Sequence, residues 1–142
     1  MAILELPKKI SLRIVTPERS LVSEEVDEVV LPGVEGYLGA LPGHTPLLTS
    51  LKIGEIKYRL GGTWRYLAVS WGFVEILPHR VTVLADVAEK AEEIDVEEAK
   101  SEKERAEKKL KSPDANFLQA QIALQHALVR LQVAAKAAPL PH

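Results

Sequence analysis

The sequence predicts an antiparallel β-sandwich or barrel followed by a two-helix hairpin, and three observations carry that prediction. Composition breaks near Asp86: all 8 glycines and all 5 threonines precede it, whereas 12 of the 16 alanines follow it. Thr and the aromatics suit a pleated, half-buried surface and Gly supplies turns, while Ala, Glu and Lys suit helix. Turn signals also recur about every eight to ten residues in the first part, at Pro17, Pro32-Gly33, Pro42-Gly43, Gly54, Gly61-Gly62, Gly72 and Pro78. Helix punctuation, by contrast, is found after Asp86, with a capping residue at Asp95 and a Ser-Pro break at Ser112-Pro113.

Taken in order, SLRIVTP and VDEVVLP are short apolar runs closed by proline. GEIKYRL alternates strictly, with Ile56, Tyr58 and Leu60 on one face and Glu55, Lys57 and Arg59 on the other. Gly61-Gly62 then offers the positive φ of a tight hairpin into TWRYLAVS, and RVTVLAD completes the series. These segments lie too close together for intervening helices, which is why the sheet should be antiparallel. The first helix starts at Asp95, whose carboxylate can cap free amides while Glu98 reaches back, and runs to about Lys111. Ser112-Pro113 then stops it and restarts the next, with Ser as cap and Pro in the first helical position. Along the second helix Phe117, Ala120, Leu124, Ala127, Leu131 and Ala134 form a large-small seam for a helix partner. Leu118, Ile122, Val129 and Val133 form a second stripe that the first helix cannot also cover, so the sandwich or another protein must. The first helix is nearly all charge, with Val96, Ala99, Ala106 and Leu110 as its few apolar positions, and the tail from Ala137 should fray. This divides the chain into a sandwich, residues 1–87, and a hairpin, residues 88–142.

The 142 residues suffice for one domain with an appendage and for a sizeable core. With no cysteine, disulfides, thiolate metal sites and a thiol nucleophile are excluded. Eighteen basic against 20 acidic residues give a net charge of -2, so no general field draws the chain to nucleic acid or an anionic membrane. Lys8 and Lys9 stand where a signal peptide would carry its apolar core. The longest charge-free stretch, from Gly36 to Leu51, is broken by Pro42, Pro46 and three glycines, so no direct insertion into a bilayer is expected.

A search for catalytic constellations returns little. Gly33, Gly36 and Gly39 are followed by strand-like sequence rather than by a helix that could hold phosphate, and they read as turn residues. His44, His79, His126 and His142 show no metal-ligand spacing, and the charged run Glu89 to Lys111 reads as a solvated helix face with pairs such as Glu104 and Lys108. Only the loop from Leu31 to Thr49, with two Pro-Gly pairs, a Tyr, a His and adjacent leucines, carries more punctuation than a turn requires.

Glu35-Gly36-Tyr37-Leu38-Gly39-Ala40-Leu41-Pro42-Gly43-His44-Thr45-Pro46-Leu47-Leu48-Thr49 closely resembles the E-G-x-L-G-x-x-P-G-H-x-P-L-L-T signature of the epsilon subunits of bacterial F-type ATP synthases. Leu51-Lys52-Ile53-Gly54, Val81 to Asp86 and Ile94-Asp95 extend the resemblance over nearly the whole chain. It implies a sandwich of about ten strands with two antiparallel helices, in a non-catalytic rotor subunit of the central stalk. Such a subunit binds the gamma subunit and rests on the c-subunit ring, at the cytoplasmic face of the bacterial inner membrane. It couples ring rotation, driven by protons or sodium ions, to ATP synthesis, and its mobile hairpin regulates hydrolysis by reaching the catalytic beta subunits. On this resemblance Glu35 and Tyr37 lie near the ring, and His44, Thr49, Ser70 and Glu75 near gamma. Some relatives have an acid where this chain has Tyr37, which can offer a ring only aromatic packing and one hydroxyl. His44 has a second reading as a turn histidine bonded to local backbone. A standalone enzyme or ligand-binding sandwich using His44 and Glu35 is the competing class.

The resemblance also bears on nucleotide. Several family members bind ATP through I-D-x-x-R-A at the start of the first helix, helped by basic residues of the second. This chain reads Ile94-Asp95-Val96-Glu97-Glu98-Ala99, with His126 and Arg130 on the second helix, so only Asp95 and Arg130 match. Their alternative roles are helix cap and exposed helix charge. ATP binding should be weak or absent, and no other cofactor or metal is expected.

Overall fold

The computed structural model describes residues 7–113 and 116–138. Eight strands, β1 (Ile10–Val15), β2 (Ser20–Val26), β3 (Glu28–Gly33), β4 (Gly36–Ala40), β5 (Leu47–Leu51), β6 (Gly54–Leu60), β7 (Thr63–Leu77) and β8 (Arg80–Lys90), precede a 3-10 turn (Ala91–Glu93) and helices α1 (Val96–Leu110) and α2 (Phe117–Ala134). Residues 1–6 of the expected leaderless start and residues 139–142 of the expected frayed tail lie outside the described residues.

The strand order is β2-β1-β8-β7-β5-β3-β4, with β6 pairing β3 and β7. All pairings are antiparallel except β1 with β8, which is parallel. β7 pairs β6 along its first half and β5 along its second, so it serves both layers of the sandwich, and β8 follows it from Leu67 to Leu77. Counting these two long strands once per layer gives ten strand segments, the number that the resemblance implies. β7 changes course at Trp71 and Gly72, whose φ angles are 58° and 149°. A Cβ on Gly72 would lie 2.4 Å from the Leu84 carbonyl oxygen, so only glycine lets β8 pass this close. The period-two pattern is realised in the core. Ile10, Leu12 and Ile14 of β1, Ile56 and Tyr58 of β6 and Val81, Val83 and Ala85 of β8 all point between the layers.

Asp95 caps α1 as its sequence predicts, accepting the Glu98 N–H at 3.0 Å. The helical restart differs. α2 begins at Phe117, where Asn116 accepts the Gln119 N–H at 3.2 Å, rather than at Ser112-Pro113. Asn is as strong a cap as Ser, and its placement here closes the hairpin after a longer connection. Ala99 and Ala106 of α1 are buried against Ala120 and Ala127 of α2, small residues that let the axes approach closely. The second stripe divides. Val133 is fully buried and Val129 partly so, both packed on the sandwich, while Leu118 and Ile122 stay exposed.

Candidate functional site

The signature loop is built by the β3–β4 hairpin and the segment leading to β5. Gly36 turns the chain with φ 132°, leaving Glu35 exposed, and Gly43 does the same before His44 with φ 88°. Tyr37 is 57% exposed, yet its hydroxyl accepts the Glu55 N–H at 2.9 Å. β3 pairs β6 only over Lys57–Arg59, so the Glu55 amide lies past the end of that ladder and Tyr37 supplies its acceptor. A Cβ on Gly54 would sit 2.6 Å from Pro32 Cβ and 2.8 Å from the Tyr37 hydroxyl oxygen, which makes glycine necessary here. His44 is half-buried and its Nδ1–H donates to the carbonyl of Thr45, the local turn bond of its second reading.

The residues expected at gamma do not form one cluster. Glu75 is on the outer face of β7, 3.6 Å from Arg80, whereas Thr49 pairs Val74 on the inner side and Ser70 is buried. Around Glu75 the outer face is unexpectedly apolar: Leu48, Phe73 and Leu84 are 62%, 45% and 54% exposed. With Glu75 and Thr82 they line a hollow of about 190 Å³. Sequence reading passed over them because these strands are apolar on both faces, so a run such as FVEIL does not reveal which side meets solvent.

The second element is the docked hairpin, and charge holds it. Register places Glu55, Ala68 and Glu89 in one cross-strand row over β6, β7 and β8. The end of α2 lies across this row with Arg130, Val133 and Lys136, residues spaced by three. Six residues of helix rise about 9 Å, and two strand spacings span about 9.6 Å, so base, apolar and base meet acid, small and acid. Arg130, with only 5% of its side chain exposed, grips Glu89 in a fork, Nε at 2.7 Å and Nη2 at 3.1 Å. Its Nη1 donates to Glu98 and Glu102 of α1, each at 3.4 Å, and His126 Nδ1 lies 2.9 Å from Glu102. Burial opposes the Arg130 charge, but hydrogen bonding to Glu89 and the charges of Glu89 and Glu98 outweigh it and hold the guanidinium above the ordinary arginine value. Lys136 Nζ reaches Glu55 Oε1 at 2.6 Å and sits 5.1 Å over the Tyr66 ring. Ala138 N–H adds a bond to Glu92 at 3.2 Å.

The end of the hairpin covers Glu55, which is 9% exposed. One expectation is corrected. Arg130 is not an exposed helix charge; it is sealed at the junction of sandwich, α1 and α2. Asp95 is the cap. Beside this junction a cleft of about 340 Å³ lies between Ile53, Trp71 and Val87 of the sandwich and Ile122 and His126 of α2.

An exposed apolar patch on the outer face of a sandwich, beside a helical hairpin held by ion pairs, marks a protein-binding module. Two family profiles match it, ATP synthase, Delta/Epsilon chain, beta-sandwich domain over residues 9–91 and ATP synthase, Delta/Epsilon chain, long alpha-helix domain over residues 92–135. The chain is 52% identical to the ATP synthase epsilon chain of Syntrophobacter fumaroxidans, covering 91% of this chain and 98% of that one. It is 49% identical to that of Citrifermentans bemidjiense, covering 92% and 97%. Among solved structures, that of the Euglena gracilis mitochondrial ATP synthase, OSCP/F1/c-ring in rotational state 1, contains a chain with TM-score 0.81 and 27% identity, covering 96% of this chain and 86% of that one. The chain therefore belongs to the ATP synthase delta/epsilon family, as an epsilon chain, a non-catalytic subunit of the complex. The standalone enzyme is not favoured.

Proposed function

We propose that this chain works in the central stalk of a bacterial F-type ATP synthase, transmitting c-ring rotation and regulating hydrolysis through a hairpin that docks and undocks. The observation that carries the regulatory part is the docking interface, in which few apolar residues and several ion pairs hold the hairpin. Ion pairs exchange for water or for another charged surface at little net cost, whereas a large apolar interface would not. The sandwich would meet gamma through the region of His44, Thr49, Ser70 and Glu75, with exposed Leu48, Phe73 and Leu84 supplying apolar contact area. Glu35 and Tyr37 would face the ring, Tyr37 with its aromatic face and the hydroxyl proton left after accepting from Glu55. No helix among the described residues is long and apolar enough to cross a membrane, which suits attachment at the cytoplasmic face of the inner membrane through the ring.

Regulation should be modest in strength. α2 and the turn after it carry two bases, Arg130 and Lys136, and both are committed to acids in the docked state. When the hairpin extends toward the beta subunits, these two would be the cationic contacts that the second helix provides. Reconstituted ATP hydrolysis by the catalytic head should rise less than about threefold when residues 88–142 are deleted; a tenfold rise would refute this reading. A purified complex lacking gamma but retaining this chain in full would argue against the stalk position.

ATP should bind weakly or not at all. Glu98 stands where the family motif carries arginine, and it pairs with Arg130, so a polyphosphate would meet a carboxylate and an arginine already neutralised. Titration calorimetry of the whole chain should show no saturation at micromolar ATP. Glu98→Arg, and more so Glu98→Arg with His126→Arg, should raise affinity at least tenfold, in keeping with one charge-assisted bond of about 1.5 to 3 kcal/mol.

A further inference from the structure

Glu55 is held twice, once by the signature loop and once by the helical hairpin. Its amide donates to the Tyr37 hydroxyl, at the tip of the β3–β4 hairpin, and its carboxylate takes Lys136, past the end of α2. We propose that Glu55 couples the exposed turn at Tyr37 to the docking of the hairpin, so that displacing the turn loosens the hairpin and undocking loosens the turn. The coupling goes beyond the stalk assignment and does not depend on what occupies the turn.

The geometry supplies the means. Gly33 and Gly36 close the β3–β4 hairpin so tightly that a Cβ on Gly33 would lie 2.9 Å from the Gly36 carbonyl oxygen. Tyr37, Pro32 and Gly54 pack at less than the room a methyl group needs. A displacement of this tip therefore cannot be absorbed locally and pulls the Tyr37 hydroxyl from the Glu55 amide. An orphaned amide in a covered site seeks water, and the start of β6 must shift to find it. The carboxylate on that same residue has 11% exposure and one cationic partner, so a small shift weakens a contact that is short and directional. In the reverse direction, loss of Lys136 leaves a buried carboxylate uncompensated, and its route to water is the same movement of β6. Coupling between two sites is reciprocal, and the docked or undocked hairpin is the two-state element both ends bias. Arg130, by contrast, holds Glu89 of β8, with two strands' separation from the Tyr37 bond, and lies outside this path.

Amide hydrogen exchange on the full chain tests the coupling, with Tyr37→Phe, Lys136→Met and the double variant. Tyr37→Phe should raise exchange of residues 129–137 about threefold, the scale of part of one hydrogen bond. Lys136→Met should raise exchange of residues 36–40 by a similar factor, and the double variant should fall short of the product of the two. Effects of Tyr37→Phe confined to residues 36–56, or multiplicative effects in the double variant, would overturn the proposal. Should Tyr37→Phe loosen the whole sandwich, β1 and β2 would exchange faster too. Lys136→Met, at a half-exposed position, then decides alone: faster exchange at residues 36–40 supports the coupling and unchanged exchange refutes it.

Discussion

The sandwich and the hairpin interface are held by different forces. Twenty buried residues, from Ile10 to Ala88, make one continuous core between the sandwich layers. At the hairpin interface the buried apolar residues number four, Ala68, Ala91, Ile94 and Val133, and two of them are alanines. Apolar burial is non-directional and survives small displacements, whereas an ion pair with one good geometry is either made or lost. The sandwich and the docking of its hairpin are thus built from different chemistry in one short chain.

The largest expected effect tests the platform. Ile56→Ala empties a fully buried position in the core and should cost about 2 to 5 kcal/mol. Its thermal midpoint should fall by roughly 10 °C or more. A shift of only a degree or two would mean that the core collapses around the cavity and is not the rigid frame described. The complementary fragment, residues 1–91, retains all eight strands and should melt cooperatively by itself.

Next is the latch. Arg130→Met keeps volume but leaves Glu89, Glu98 and Glu102 facing one another without their cation. A fully buried pair broken in this way costs about 3 to 5 kcal/mol. Here the acids are 25%, 62% and 23% exposed, so water relieves part of the penalty and about 2 kcal/mol is the better expectation. Proteolysis of the linker around Ile94 should accelerate roughly thirtyfold, with the melting of the sandwich unchanged. If the sandwich melts earlier as well, the two regions are not energetically separate and the contrast drawn between them fails.

This contrast also marks what was legible in the sequence. Strands could be read because core formation obeys a local period: Ile56 and Tyr58 alternate with Lys57 and Arg59 whatever lies elsewhere. The cap at Asp95 is equally local. Glu55 and Arg130 could not be placed, because each looks solvated in its own segment and becomes buried only when α2 crosses the sheet. The match of acid, small, acid against base, apolar, base depends on the pairing of Glu55 with Ala68 and of Ala68 with Glu89, and strand register is a three-dimensional fact. Tyr37 illustrates the same limit, since its hydroxyl answers an amide eighteen residues away that only the end of the β3–β6 ladder exposes.

The smallest expected effect lies between the two regions. Arg19, in the turn between β1 and β2, makes a two-bond pair with Glu93 of the 3-10 turn that leads into α1. Hydrogen bonding to Arg19 holds the Glu93 carboxyl below the usual carboxylate range, against a smaller opposing effect of burial. A lowered folded value means that the unfolded chain binds the proton first as pH falls. The stabilisation is therefore complete above the ordinary value of about 4.3 and disappears as pH drops through the lower folded value. With both side chains more than a third exposed, at 49% and 36%, solvent screening keeps it below about 1 kcal/mol. Glu93→Gln should lower stability slightly at pH 7 and by less at pH 2, so the two proteins' denaturation curves converge in acid. Equal differences at both pH values would show that Glu93 acts through packing of the 3-10 turn instead of charge, and the passage from sandwich to hairpin would then belong with the apolar core.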